Sequence, residues 1–310
     1  DLVWLWPLID YPAQEANNVL LNEDIPRSLA PGGRLDSLLT VGSDNADKVS
    51  WVADPQLLQV VQDMAGGYQV RNGESLSVGD FSTESGQWIS RLKDALLASQ
   101  DLDSVKSGKS DRLPLRVTPY ADIDAGAVTG AGMETNVVLS TTMAAGVASS
   151  VLEQAVSGTL YWAPSGRLNR ETGDLLASSG VRTVILRANA LPPSQPNTIS
   201  TGLGVLGTTY GGMNAVLIDP GLSTTLGLNQ SSQSNAILMR QRFLAETALM
   251  SQLIRKDAPS RMVVAGPREI RWDPSSEALN TLLGATGSVP WLQSASLSDL
   301  LAENSTAIAR

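Results

Sequence analysis

The sequence predicts an α/β fold, a TIM-like (β/α)7-8 barrel of parallel strands with helices outside. Three observations predict it. Short apolar runs recur along the chain, each stopped by Pro or Gly beside a polar residue. Sequence of helical period follows most of them, the alternation that builds parallel sheets. The 310 residues exceed the roughly 250 of such a barrel by loop-sized insertions. An open doubly wound sheet fits the alternation too, but the length favours closure. The expectation is one barrel domain over 1–310, a trimmed or mature fragment since no Met precedes Asp1, with a long insertion at about 192–214.

The elements follow in order. Val3–Ile9 is the first strand, with Trp4 and Trp6 on one face and Asp10 at its end. Arg34–Val41 reads as a helix after Pro31-Gly32-Gly33. Val49–Ala53 is the second strand, stopped by Asp54-Pro55, and Leu57–Ala65 is a helix closed by glycines. Gln87–Ala98 carries Trp88, Leu92 and Leu96 at i, i+4, i+8. Asp101–Asp111 is polar, without period, and reads as a surface loop. In the third strand Leu115 and Val117 alternate with polar neighbours until Pro119, and Asp122 and Asp124 sit in the turn beyond. Helices are expected over Ala125–Ala131 and Val137–Val156.

Thr159–Ala163 is the fourth strand, Glu171–Ser178 a helix, and Thr183–Leu186 the fifth strand, followed by Arg187. Pro192–Asn214 is the insertion. Its Gly202, Gly204 and Gly207 match GxGxxG, but a dinucleotide loop must join a strand directly to a helix, so hairpin turns explain them better. Gly108-Lys109-Ser110 lacks the upstream glycine of a phosphate loop. No cofactor site is read from either. Ala215–Ile218 is the sixth strand, stopped by Asp219-Pro220. Ala236–Arg255 is the longest expected helix, with Leu238, Ala245, Leu249 and Leu253 on its buried side. Met262–Ala265 is the seventh strand, with Arg268, Glu269, Trp272 and Asp273 just beyond. Glu277–Leu283 is a helix and Val289–Leu292 a candidate eighth strand, and Ser296 with Asp299 reads as a capping pair.

Composition excludes whole classes of function. Hydrophobic residues make up 42%, enough for a packed core, and there is no run of 18 apolar residues to span a bilayer. A net charge of −9 argues against nucleic acid and anionic membrane surfaces. With no Cys and no His, disulfides, thiolate or imidazole metal sites and histidine-based catalysis are out. No metal site is expected, and any catalysis would fall to carboxylates, Lys, Tyr, Ser or a carboxylate-held metal.

Active sites of such barrels lie at the C-terminal strand ends. Those ends supply Asp10, Asp54, Asp122, Asp124, Trp162, Arg187, Asp219, Arg268, Glu269 and Asp273. Each acid has an ordinary alternative, since Asp before Pro after a strand also caps the next helix. Asp122, Asp124 and Glu269 are the catalytic candidates. Trp4, Trp6, Asp10, Asp54, Trp162, Arg187, Arg268, Trp272 and Asp273 are the ligand-binding candidates, the tryptophans as stacking platforms for sugars. Core packing is the competing reading for Trp4 and Trp6.

The segments WLWPL (Trp4–Leu8), LAPGGRL (Leu29–Leu35), WVADP (Trp51–Pro55), MAGGY (Met64–Tyr68) and PYADID (Pro119–Asp124) together resemble a family of actinobacterial envelope proteins of unknown function. These are large, exported, membrane-anchored proteins often encoded beside the lipid II flippase of peptidoglycan synthesis. The resemblance covers most of the chain and implies an extracytoplasmic, cell-wall-related role. Possible partners are then a cell-wall glycan, lipid II or a membrane protein such as the flippase, with no direct membrane insertion by this fragment. More distantly, the strand ends are similar to carbohydrate-active β/α barrels, including polysaccharide deacetylases and glycoside hydrolases. Deacetylases of that type hold their metal with an Asp and two His, a set that a chain without His lacks. The expectation is a non-catalytic glycan- or protein-binding envelope domain. The alternative is a carboxylate-dependent glycoside hydrolase, which needs two facing carboxyl groups about 5 Å or about 6.5–9.5 Å apart.

Overall fold

In a computed structural model, residues 1–15, 17–107, 111–191, 202–228, 232–253, 262–267, 269 and 271–303 are described, the side chains of 101–107 excepted. Seven staves form the ring. The first is Leu2–Leu8, the second Val49–Ala53, the third Leu113–Val117, the fifth Thr183–Arg187, the sixth Gly211–Ile218 and the seventh Val263–Ala265. The fourth is interrupted, with Val156–Thr159 pairing the third and Tyr161–Trp162 pairing the fifth. Between them the Leu160 amide donates to the Val117 carbonyl (2.9 Å), and just past them Ala163 donates to Ile185 (3.2 Å). The ladder therefore runs from the first stave through the second, third, fourth, fifth, sixth and seventh back to the first, all parallel. Parallel pairing puts every strand's C-terminal end at one mouth.

The sixth and seventh staves touch only near their C-terminal ends, at Ile218 and Val264. Below that point the strand Leu203–Thr208 runs antiparallel along the sixth stave, so the expected hairpin is present, but Gly204 and Gly207 lie within its strand and the turn falls at Thr209–Tyr210. Gly202 donates to Met262 O at 2.8 Å, and a β-carbon there would lie 2.8 Å from the Val264 side chain. Close backbone approach explains this glycine.

The eighth strand is a correction. Val289–Leu292 is not a stave; the short strand Ser294–Ala295 pairs with Leu2 and Val3 of the first. Its backbone then feeds the helix Leu297–Ala302, whose N-terminus carries the expected capping box of Ser296 and Asp299. A four-stranded sheet of Gln14–Glu15, Val19–Leu20, Gln69–Asn72 and Ser75–Val78 has no counterpart in the expected elements.

Two layers of apolar packing result. Inside the ring sit Val3, Leu5, Val52, Leu160, Trp162, Ile185, Val216 and Val264, closed below by Leu297 and Leu300. Between ring and helices sit Trp4, Trp6, Leu8, Trp51, Leu115 and Val117, with Trp88, Leu92 and Leu96 of the helix Ser82–Ser107 against them. That helix runs to Ser107, so the loop expected from Asp101 begins later. The helix Gln233–Leu253 also turns a different face inward. Met239, Phe243 and Thr247 are its buried residues, while Leu238, Leu249 and Leu253 are more than half exposed. Phe243 sets the orientation by stacking on Trp4 at 4.9 Å between ring centroids. The helix Glu134–Leu152 is long and apolar enough to cross a membrane by length and composition; here it packs in the outer layer against the helix Pro55–Ala65.

Candidate functional site

The C-terminal mouth gathers the strand-end residues, and the structure shows how each is engaged. Asp10 follows the first stave and is 3% exposed. Its Oδ2 accepts from Arg34 Nη2 (2.8 Å), and its Oδ1 from Arg271 Nε (3.0 Å) and the Tyr11 amide (2.7 Å). Arg34 also donates to Ile9 O (3.0 Å), and Arg271 bridges on to Asp24 (3.0 Å) while stacking over Tyr11. Asp10 is thus the centre of an ion-paired knot tying the first stave to the loop after the seventh.

Asp54 follows the second stave and is fully buried. It is the N-cap of the helix Pro55–Ala65, its Oδ1 accepting from the Gln56 amide (2.9 Å), with Pro55 at the first helical position. The same oxygen accepts from the Ala121 amide at 2.9 Å, across the mouth from the third stave. Ala121 and Asp122 hold left-handed φ values of 63° and 42°, which non-glycine residues adopt at a cost and which here turn the loop's amides toward Asp54. Asp54 Oδ2 has no partner and is sealed from solvent. Burial pushes this carboxyl up to about 8, and the nearby Asp122 charge adds to the rise against the lowering effect of the amides.

A pH signature follows. The folded carboxyl keeps its proton to about 8, whereas the free one releases it near 3.8. Between these values the unfolded chain binds fewer protons, so this group's contribution falls as pH rises, by up to about 1.4 kcal/mol per pH unit. Asp54→Asn, which mimics the protonated acid, is expected to match wild type near pH 4 and to gain on it steadily toward pH 8. Urea denaturation at both pH values reads this out, and parallel profiles would contradict it.

Asp122 is buried at 8% exposure beside Asp54, while Asp124 is exposed and caps the next helix through the Ala127 amide (3.1 Å). Asp219 caps Pro220–Leu226 through the Leu222 amide (2.9 Å), and burial with the nearby Glu246 raises its pKa. Glu269 and Asp273 are exposed at the rim after the seventh stave. Arg187 is exposed, its stem lying over Gly166. Arg268 lies outside the described residues. The acids therefore share one mouth as expected, and Asp54 and Asp122 are neighbours.

The tryptophans need correction as stacking platforms. Trp4, Trp6 and Trp272 lie in the outer core, not the mouth. Trp6 donates to Leu38 O (3.0 Å), and Trp272 donates to Leu226 O (3.1 Å) and meets Trp6 edge to face. Trp162 is inside the ring at 1% exposure, packed against Leu5 and Gly266, and offers no open face. Alternation explains the outcome, because residues two apart on a stave share a face and Trp4, Trp6 and Leu8 share the outward one. Tyr11, half exposed beneath Arg271, is an aromatic that does reach the rim. It was legible as the residue after a strand-end Asp.

The expected insertion does not fill the mouth with its described part. The hairpin turn after Thr208 lies at the N-terminal end of the sixth stave, where Asp174 accepts from the Thr209 amide (2.7 Å) and hydroxyl (2.8 Å). Residues 192–201 lie outside the described set. Among the described residues no three acids gather in metal-holding geometry.

Comparison with solved structures places this fold. A 4-alpha-glucanotransferase from Thermococcus litoralis superposes with a TM-score of 0.57 at 11% identity, covering 98% of this chain and 40% of that one. An alpha-amylase from Thermotoga maritima gives 0.56 at 10% identity, covering 97% and 74%. A polysaccharide deacetylase from Mycobacterium smegmatis, described as putative, gives 0.41 at 12% identity, covering 97% and 94%. The chain thus spans less than half the glucanotransferase, and at these identities the likeness is one of fold. No curated protein matches. The model of a family of unknown function, DUF6049, matches residues 34–309, and the chain belongs to that family.

Proposed function

We propose that this domain is a non-catalytic, extracytoplasmic binding module of the cell envelope, linked to peptidoglycan synthesis or lipid II export and held at the membrane by segments outside this chain. Its ligand is a cell-wall glycan or lipid II, or a membrane protein partner such as the flippase. The observation that carries the non-catalytic part is the engagement of the strand-end acids. Asp10 is ion-paired, and Asp54, Asp124 and Asp219 accept from backbone amides at helix starts. A carboxylate committed to a cap or a buried pair, or a protonated acid sealed from solvent as Asp54 is, is not poised to attack or protonate a glycosidic bond. The envelope part rests on the WLWPL, LAPGGRL, WVADP, MAGGY and PYADID resemblance.

The ligand surface is the rim, where Tyr11, Arg187, Glu269 and Asp273 are exposed. An aromatic flanked by charged groups suits a sugar ring. Calorimetric titration with muropeptides and with lipid II is expected to show saturable binding, weakened at least several-fold by Tyr11→Ala. Absence of heat at millimolar ligand would leave only the protein partner. The second reading, a glycoside hydrolase, draws on Asp122 and Glu269, whose carboxyl groups are not assigned to a helix cap; it predicts new reducing ends on a cell-wall glycan.

A further inference from the structure

The opposite end of the barrel holds a cation, Arg116, that no acid pairs with among the described residues. On the third stave, Leu113, Leu115 and Val117 face the helices, so Pro114 and Arg116 face inward. Arg116 Nη1 donates to Ser157 O at 2.7 Å, and no acid pairs with this side chain among the described residues. A cavity of about 30 Å³ adjoins it at the N-terminal mouth, lined by Lys48, Ser50, Ser157, Ser296 and Ser298 as well as Arg116.

Two acids lie near this cavity, Asp47 and Asp299, and each is already engaged with a partner other than Arg116. Asp47 is also in the lining and pairs with Lys48 at 3.6 Å. Asp299 is consumed by the capping box, its Oδ2 accepting from the Ser296 amide (2.8 Å) and hydroxyl (2.9 Å). Arg112 adds further positive charge beside Arg116. The described lining thus carries two cations, Lys48 and Arg116, against one acid, Asp47, in a chain of net charge −9. Burial and Arg112 both press the Arg116 pKa downward, yet a guanidinium stays charged in a protein, and among the described residues no acid meets that charge.

We propose that this cavity is an anion site, taking one small monovalent anion such as chloride or a carboxylate. The volume suits it, since a space of this size holds one or two water-sized groups and not a large ligand. The donors suit it as well. Arg116 keeps N–H groups beyond the one given to Ser157, and Lys48 lines the cavity with its ammonium held by Asn45 (3.0 Å) and Asp47. The location gives it a structural task. Ser50 Oγ accepts from the Leu297 amide at 2.9 Å, so the cavity sits where the second stave meets the terminal helix, and a bound anion would bridge the third stave to that junction. The site lies at the far end from the rim and is independent of any glycan bound there.

Chloride-35 NMR line broadening, titrated against the whole domain in an isethionate background, tests this. Wild type is expected to show saturable broadening that acetate reverses. Arg116→Met should abolish it, and Lys48→Met should weaken it several-fold while the far-UV spectrum is unchanged. In parallel, chloride should raise the wild-type melting temperature at constant ionic strength. If Arg116→Met does not fold, Lys48→Met and acetate competition still decide. Broadening that is linear in chloride, insensitive to acetate and equal in the variants would overturn the proposal.

Discussion

Arg34→Met is expected to cost about 3–5 kcal/mol of unfolding free energy, because it strands a buried carboxylate. Asp10 and Arg34 are 3% and 8% exposed at their side chains, and 2.8 Å separates their charged atoms. The methionine would keep the volume and lose the charge. Arg271 would remain as partner, but it is 42% exposed and so compensates weakly. The Ile9 carbonyl would lose its donor at the same time. Urea denaturation of wild type, Arg34→Met, Asp10→Asn and the double variant completes a cycle. The double variant is expected to recover much of the loss, since it removes the unpaired charge. A single-variant loss below about 1 kcal/mol would show that the knot is not a stabilising centre.

Phe243→Ala is expected to cost a similar amount, about 3–5 kcal/mol, and to act locally. Of the 21 residues of Gln233–Leu253, Met239, Phe243 and Thr247 are buried, so this stripe attaches the helix. Removing the ring deletes the stack on Trp4 and opens a cavity beneath the helix. Limited proteolysis should then cut within Gln233–Leu253 before the barrel unfolds. By contrast, Leu249→Ala, at a position 57% exposed, should leave the pattern unchanged. If the two variants behave alike, the attachment described here is incorrect.

Much of the ring was legible because a parallel stave buried on both faces is a short apolar run with a sharp stop. Val49–Ala53 and the Trp88, Leu92, Leu96 stripe are found where the pattern puts them. What escaped was whatever depends on a partner distant in sequence. Asp10 meets Arg34 and Arg271, and no local pattern announces residues 261 positions apart. The small sheet of Gln14–Glu15, Val19–Leu20, Gln69–Asn72 and Ser75–Val78 has strands too short for a period to show. The helix Gln233–Leu253 carries apolar residues on more than one face, so periodicity could not choose between the Leu238 and Phe243 stripes.

The candidate site divides in the same way. Strand order and parallel direction brought Asp54, Asp122 and the rim residues to one end, which the punctuation of the sequence anticipates. Their roles depend on backbone amides that only the folded loops supply, as at Ala121 and Gln56. The tryptophans went into the core, which for Trp4 and Trp6 is the competing reading of the sequence, because each stave has two buried faces here and a large aromatic fits either. Arg116 was overlooked although the alternation of LPLRV already turns it inward.

We propose that the acids at this mouth build the barrel and do not cleave glycan. Prolonged incubation of the domain with purified peptidoglycan, followed by quantitation of new reducing ends, tests it most directly. The account predicts a count equal to the protein-free control. A time-dependent release that disappears in Asp122→Asn or Glu269→Gln would contradict it and establish a hydrolase.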